Sequence, residues 1–104
     1  MPQLQMLEVR PGVRIAVETY RPANVANPPP GFLWLGGFKS GMSGTKANYL
    51  STRALRDGRP YIRFDYSGHG FSGGRFEDGT LSLWLEEARF ALALAEGQPM
   101  IVIG

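Results

Sequence analysis

Apolar and polar residues alternate along the start of the chain. Residues 4–9 and 13–20 both follow a period of two, which is the period of a strand with one face buried. The dipeptide Pro11-Gly12 between them is typical of a tight turn. The pattern therefore predicts an antiparallel hairpin.

Short apolar runs replace this alternation further along the chain. Residues 31–35 and 100–104 are wholly apolar, which is the pattern of strands covered on both faces in a parallel sheet. Residues 61–66 predict another strand between these two. Residues 24–30 end in three successive prolines, which cannot donate a backbone hydrogen bond, and we expect a loop there.

The first of two segments with helical periodicity lies at residues 45–57. Thr45 can cap this predicted helix, and Gly58 can end it. Its expected apolar face consists of Ala47, Leu50 and Ala54.

A second helix is predicted after a glycine-rich loop at residues 67–79. Thr80 can cap this helix and Gly97 can close it. We expect Glu86, Glu87 and Arg89 on its solvent side. The expected apolar face consists of Leu81, Trp84, Leu85, Ala88, Leu92 and Ala95.

The predicted order is strand, strand, strand, helix, strand, helix, strand. Strands that alternate with helices are typical of the crossover units of a parallel sheet, so the fold class is α/β with an antiparallel start. The apolar strand at residues 100–103 needs a neighbour on each edge and helices on both faces. We therefore expect residues 1–104 to be the N-terminal part of a single domain that folds poorly without downstream residues.

Composition limits the classes of function. The 104 residues are 43% hydrophobic and 19% charged, as in a globular protein. A net charge of +2, without a basic run, argues against a nucleic-acid partner. The absence of cysteine excludes a disulfide scaffold and a cysteine nucleophile within this span and fits the cytoplasm. No signal-peptide pattern or membrane-length apolar stretch occurs, so we expect a soluble cytoplasmic protein without a membrane span.

Three motifs that can carry chemistry occur in series. The first is Leu33-Trp34-Leu35-Gly36-Gly37-Phe38, a strand that ends in paired glycines. The second is the stretch from Arg63 to Gly73, which contains Asp65, Gly68, Gly70 and Ser72 at the spacing D-x-x-G-x-G-x-S. The third is Ile103-Gly104, at the end of an apolar strand. Open α/β sheets bind ligands at the carboxyl ends of their strands, where the first and third motifs fall.

This series resembles the α/β-hydrolase family. In that family a hairpin precedes a strand ending in His-Gly or Gly-Gly, then a D-x-x-G-x-G-x-S loop, then a strand that enters the G-x-S-x-G nucleophile elbow. The loop residues Gly36-Gly37-Phe38-Lys39-Ser40 and Gly44-Thr45-Lys46, with Ile62-Arg63-Phe64-Asp65-Tyr66-Ser67-Gly68, are most similar to the palmitoyl-protein thioesterase and acyl-glucuronide esterase branch with its bacterial relatives. The resemblance covers nearly the whole chain.

The resemblance implies a set of site residues. The backbone N–H of Phe38 would be one donor of the oxyanion hole, and Gly36 and Gly37 would let the backbone approach the substrate. Gly104 would be the first glycine of the nucleophile elbow, so the nucleophilic serine would be the second residue beyond this sequence. The catalytic acid and histidine would follow that serine.

One residue departs from the usual family pattern. Gly36 stands where many members carry histidine. The main-chain donor is unaffected, but any hydrogen bond with which that histidine would stiffen the loop is lost.

The expected function of the complete protein is serine-dependent hydrolysis of a carboxylic ester or thioester. Its partners would be a small-molecule acyl ester or thioester and the remainder of its own hydrolase domain, and the resemblance implies no metal or organic cofactor. The alternative is a non-catalytic relative that keeps the fold as a binding module, with another residue in place of serine at the elbow.

His69 and Asp65 could suggest a catalytic pair, but they precede the expected nucleophile. Asp65 is expected instead to accept hydrogen bonds from backbone donors of its loop. A dinucleotide site is another alternative, because Gly68 to Gly73 match G-x-G-x-x-G, although a loop follows where that motif requires a helix. Residues 41–46 resemble a phosphate loop only loosely, because their lysine follows the threonine.

Two further interpretations concern single residues. Lys39 lies next to the expected oxyanion hole, where it would either meet an anionic group of the substrate or be solvated. The aromatic residues Trp34, Trp84 and Phe90 are expected to pack in the core.

Overall fold

The computed structural model of the chain describes residues 2–23, 25–37 and 41–104. These residues form a five-stranded sheet and two α-helices in the predicted order, so the α/β architecture is confirmed. The elements are β1 (Gln3–Arg10), β2 (Val13–Tyr20), β3 (Gly31–Trp34), α1 (Thr45–Asp57), β4 (Tyr61–Phe64), α2 (Leu81–Ala93) and β5 (Met100–Ile103). A single 3₁₀ turn, Phe76–Asp78, lies within the predicted glycine-rich loop.

The strands lie in the order β1-β2-β4-β3-β5. β1 pairs with β2 as the predicted antiparallel hairpin, and Gly12 in its turn has a φ of 78°, which glycine adopts easily. β2 pairs antiparallel with β4, whereas β3 lies parallel to both β4 and β5. The carboxyl ends of β3, β4 and β5 therefore meet at one edge of the sheet.

Alternating side chains of the central strands face the two helices. Leu33 of β3 and Phe64 of β4 belong to a core cluster with Ala88 and Ala91 of α2. The intervening positions of the strands face α1, because side chains alternate across a sheet. The α1 side contains Phe32, Trp34 and Arg63, which line a small space together with Ala47 and Ser51 of the helix.

The first helix differs from the prediction at its start. Gly44 is the N-cap residue, with no side-chain capping bond, so the predicted capping role of Thr45 is wrong. Gly58 ends the helix in the left-handed conformation, with a φ of 67°, as predicted. Ser51 joins Ala47 and Ala54 among the buried residues, while Leu50 is half-buried.

The second helix begins as predicted, since the Thr80 hydroxyl accepts a hydrogen bond from the N–H of Leu83 at 3.1 Å. The helix ends at Ala93, and Gly97 lies in the turn beyond it. The predicted apolar face is wrong in part, because Leu81, Leu85 and Leu92 are 82%, 56% and 43% exposed among the described residues. Phe90 is exposed as well, contrary to its expected place in the core.

The prediction that Glu87 faces solvent is wrong, because its side chain is completely buried. Its carboxylate accepts hydrogen bonds from the N–H and the hydroxyl of Ser67, both at 2.7 Å, and from the guanidinium of Arg10 at 2.8 Å. A buried carboxylate is tolerated only when its oxygens have donors of this kind. Glu87 therefore ties α2 to β1 and to the loop that follows β4.

Replacing Glu87 with glutamine tests this network. We expect Glu87→Gln to lower the free energy of unfolding by about 3 kcal/mol, because Arg10 and Ser67 lose a charged partner in a buried site. Urea denaturation of the protein measures this change. Glu86→Gln is the matched control, since Glu86 lies 3.8 Å from the same arginine and is about half exposed, and an equal loss in both variants would contradict the assignment.

Candidate functional site

The paired glycines after β3 lie beside the glycine after β5. Trp34 is aligned with Ile103 in the parallel pairing of these strands, and the N–H of Leu35 donates to the carbonyl of Ile103 at 2.8 Å. Gly36 and Gly37 leave β3 at the edge of the sheet where Gly104 leaves β5. Two loops that the sequence assigns to one site thus begin side by side, at the edge where open α/β sheets bind ligands.

Phe38, the expected oxyanion donor, lies outside the described residues, and so does Lys39. Their roles stay predictions. The described part of this loop consists of Gly36 and Gly37 on one side and residues 41–44 on the other.

Asp65 connects the carboxyl end of β4 to both neighbouring loops. It is 1% exposed. One of its carboxylate oxygens accepts the N–H of Met42 at 2.6 Å, and the other accepts the N–H of Phe71 at 2.9 Å. The expectation that Asp65 accepts backbone hydrogen bonds is confirmed.

The loop from Gly68 to Gly73 closes on itself. The N–H of Gly68 donates to the carbonyl of Gly73 at 2.8 Å, and the N–H of Ser72 donates to the carbonyl of His69 at 2.9 Å. The N–H groups of His69, Phe71 and Gly73 also donate within the protein. A dinucleotide fingerprint needs such donors for the pyrophosphate and a helix directly after them. This geometry does not suit dinucleotide binding.

His69 is packed among aromatic rings. It is 6% exposed, its Nδ1 lies 3.0 Å from the carbonyl of Ser67, and its ring centroid lies 5.3 Å from those of Phe76 and Trp84. Trp84 also contacts Tyr66, at 6.3 Å between ring centroids, which agrees with its predicted packing role. This environment makes His69 part of a structural cluster.

An apolar cavity of about 270 Å³ lies between this aromatic cluster and the glycines after β3. Its walls include Gly36, Gly37, Tyr66 and His69, together with leucines of α2. Burial, and then the negative charge of Glu87, raise the pKa of Tyr66 above its ordinary value. The Tyr66 hydroxyl therefore stays neutral at neutral pH. On the α1 side, Trp34 is half-buried, and its indole nitrogen has no hydrogen-bond partner among the described residues.

Two negative findings concern the described residues alone. They contain no group of three or more histidine, aspartate or glutamate side chains placed to hold a metal ion. None of their helices combines the length and the apolar character needed to cross a lipid bilayer.

Curated proteins with similar sequences are thioesterases by name. The mitochondrial palmitoyl-protein thioesterase ABHD10 of Bos taurus is 41% identical over 76 residues, which are 72% of this chain and 24% of that protein. The human protein of the same name is 40% identical over 76 residues, with the same coverage. The chain thus spans about a quarter of the length of the curated relatives it matches. No protein-family model matches the chain.

Two solved structures match the backbone over nearly the whole chain. A candidate hydrolase from Agrobacterium vitis S4 superposes with a TM-score of 0.90 and 41% identity, over 100% of this chain and 40% of that protein. The α/β-hydrolase domain-containing protein 10 from mouse superposes with a TM-score of 0.78 and 27% identity, over 98% of this chain and 39% of that protein. The sheet and helices described above correspond to part of each of these larger structures.

Gly70 tests the packing around Asp65. Its φ is 48°, and a Cβ atom at this position would overlap the Asp65 carboxylate. Gly12 is the matched control, because its φ of 78° is also positive but its Cβ position is open. We expect Gly12→Ala to cost about 1–2 kcal/mol of unfolding free energy through backbone strain alone. Gly70→Ala should cost a further 1–3 kcal/mol, roughly, through overlap with Asp65.

Chemical denaturation of both variants measures the difference between them. Equal losses would mean that the Asp65 carboxylate can move aside without cost, and that the packing described here is not tight.

Proposed function

The chain belongs to the α/β-hydrolases, and from that membership we propose that the complete protein is a serine hydrolase of carboxylic esters or thioesters. The proposal rests on the observation that two loops begin next to each other at one edge of the sheet. Gly36 and Gly37 follow β3, Gly104 follows β5, and the two strands are neighbours in parallel register. An oxyanion donor after β3 and a nucleophile after β5 would then face one carbonyl group.

The proposed mechanism uses main-chain donors within this span and side chains beyond it. A serine two residues after Gly104 would attack the acyl carbon, while a downstream histidine takes its proton and then delivers it to the leaving alcohol or thiol. The N–H of Phe38 and the N–H after the serine would hold the negative oxygen. Water would then release the acid from the acyl-enzyme, with the same histidine as base.

The names of the relatives support the substrate class. They are called palmitoyl-protein thioesterases, which cleave an acyl-sulfur bond. Attack by serine on a thioester or an ester passes through the same tetrahedral oxyanion, so one site serves both. The same names include the word mitochondrial, and the cytoplasmic location of this protein stays a prediction.

Exposed apolar surface supports the proposed partnership with the remainder of a hydrolase domain. Ile101 and Val102 of β5 are 46% and 55% exposed, and β5 pairs with β3 alone among the described strands. The exposed leucines of α2 add to this surface. Apolar strands of parallel sheets are normally covered on both faces and paired on both edges. We propose that downstream residues of the same domain cover this side.

A fluorophosphonate probe, which reacts with activated serines, tests the function directly. We expect the complete protein to gain the mass of one adduct in a denaturing intact-mass spectrum and to lose hydrolysis of acyl thioesters in parallel. Heat-denatured protein is the control and should remain unmodified. A native protein that neither reacts nor hydrolyses a panel of acyl esters and thioesters would support the non-catalytic binding module instead.

Two substitutions at Phe38 test the proposed backbone donor. Phe38→Pro removes the N–H, and we expect kcat to fall about 100–1,000-fold, as when other oxyanion donors are removed. Phe38→Ala keeps the N–H and should retain kcat within about 5-fold of the original protein if the main chain alone acts. Steady-state kinetics of both variants provide the measurement. Equal losses would mean that the side chain, and not the backbone donor, is needed.

A further inference from the structure

The outer edge of β1 has no partner among the described strands. β1 stands at one end of the strand order and pairs with β2 alone. Natural sheets usually protect such an edge with charged side chains, proline or a β-bulge. In β1 the charges and an irregularity in the pairing lie at one end, from Glu8 to Arg10, whereas residues 3–7 contain neither charge nor proline. The first five residues of β1 are therefore an unprotected edge.

The hydrogen bonds of β2 show which backbone groups of β1 point outward. Ala16 donates its N–H to the Ser72 hydroxyl, and its carbonyl accepts from the N–H of Asp65, so both groups point away from β1. Ala16 lies opposite Met6. In an antiparallel ladder, the residues of such a pair direct their backbone groups away from each other. The N–H and carbonyl of Met6 therefore point to the free edge, and so do those of Leu4, because the direction alternates along a strand.

The same two residues carry exposed apolar side chains. Leu4 and Met6 are 63% and 49% exposed. They share one face of the sheet because they are two residues apart. It is the face opposite α2, since Leu7 and Val9 of the same strand pack in the core with α2. A strand that paired at this edge would cover both the outward backbone groups and these side chains.

A second copy of β1 fits this edge. Around a twofold axis perpendicular to the sheet, β1 meets itself in the antiparallel direction, and opposed residues lie on the same face. With Gln5 on the axis, Leu4 of each copy lies opposite Met6 of the other. The apolar side chains then cover each other, and the outward groups of both residues can form four backbone hydrogen bonds. No like charges are opposed, because residues 3–7 are uncharged.

Other registers suit the strand less well. A slip of one residue would bring backbone groups that point inward against groups that point outward, and it would mismatch the two faces. An axis at Met6 would place Leu4 opposite Glu8 of the second copy, so that a carboxylate would lie against an apolar side chain. The sequence of β1 thus favours the axis at Gln5.

The remainder of the domain is expected elsewhere. β5, beside which the downstream residues are proposed to continue the sheet, lies at the opposite edge from β1. Consecutive strands of a sheet are usually neighbours, so further strands are expected beside β5. The edge of β1 is then left for another chain.

We propose that a second copy of this chain binds along β1, so that the two sheets join into one continuous sheet. β2 and β4 separate this contact from β3 and β5, so dimerisation leaves the candidate hydrolase site open. The inference does not depend on the proposed activity. A contact of two short strands is small, and we expect a dissociation constant of about 1–100 μM.

Engineered cysteines test the contact and its register in the complete protein. Gln5→Cys places a thiol on the axis, where opposed Cα atoms lie about 4.5 Å apart, within the range of a disulfide. Gln3→Cys is the matched control, because Gln3 is also exposed and on the same face, but its two copies would lie roughly 14 Å apart. We expect Gln5→Cys to form a covalent dimer at least about 10-fold faster than Gln3→Cys, as measured on non-reducing gels.

A proline tests the outward backbone groups. Met6→Pro removes an N–H that points to the free edge, so β1 keeps its bonds to β2 while two of the four bonds between copies are lost. We expect the dissociation constant from sedimentation equilibrium to rise about 10–100-fold. Tyr49→Lys is the control, because Tyr49 is 59% exposed on α1, away from β1, and its dissociation constant should stay unchanged. If Met6→Pro does not fold, as judged by its melting temperature, Met6→Lys carries the same comparison.

The role of β1 is excluded by any of three results. The first is a monomer in the unsubstituted complete protein at about 300 μM. The second is cross-linking of the two cysteine variants at equal rates, which would indicate random collision. The third is an unchanged dissociation constant in the folded variant at Met6.

Discussion

The carboxyl edge of the sheet depends on the burial of one carboxylate, that of Asp65. A charged group that is 1% exposed must have its oxygens satisfied, and in this chain backbone N–H groups of two separate loops do so. This requirement draws Met42 and Phe71 towards the end of β4 from opposite sides. It also explains why residue 70 is glycine, because no side-chain carbon fits beside the carboxylate. The Ser72 hydroxyl donates to the backbone carbonyl of Asp65 and accepts a hydrogen bond from the N–H of Ala16 in β2.

Features that depend on neighbouring residues could be predicted from the sequence. The hairpin, the Thr80 cap and the Gly58 stop each follow from a few adjacent positions, and all three are confirmed. The burial of Glu87 could not be predicted, because its donors on Arg10 and Ser67 lie 77 and 20 residues away. Helical periodicity does place Glu87 on the same face as Trp84 and Ala91, but a charged side chain is assigned to solvent unless a donor for it is known. The exposure of the α2 leucines could not be predicted either, since periodicity identifies an apolar face but not the part of the protein that covers it.

The candidate site was predicted from motifs, and the roles of its residues stay predictions. Its landmarks are short motifs in a fixed order, and the sheet brings Gly36 and Gly104 together because β3 and β5 are neighbours. Strand order is not a local property, and it became visible only in the structure. The contacts of Arg63 were not predicted, although the sequence holds one signal. Glu18 and Arg63 have opposite charges on strands that pair antiparallel, but their alignment became visible only with the register of β2 and β4.

Gly36 and Met42 lie on either side of Phe38, the expected oxyanion donor, in the sequence. A histidine at position 36 could stiffen the loop through its side chain, whereas glycine offers no side chain and increases backbone freedom. The transition state requires donors that are already oriented, because reorienting them during the reaction would consume the stabilisation they give. Two hydrogen bonds hold the Met42 backbone, one to a buried carboxylate and one to an arginine in a salt bridge with Glu18. Hydrogen bonds to charged groups are about twice as strong as those between neutral groups. The Met42 backbone, six residues after Gly36 in the chain, is thus fixed by residues at the end of β4.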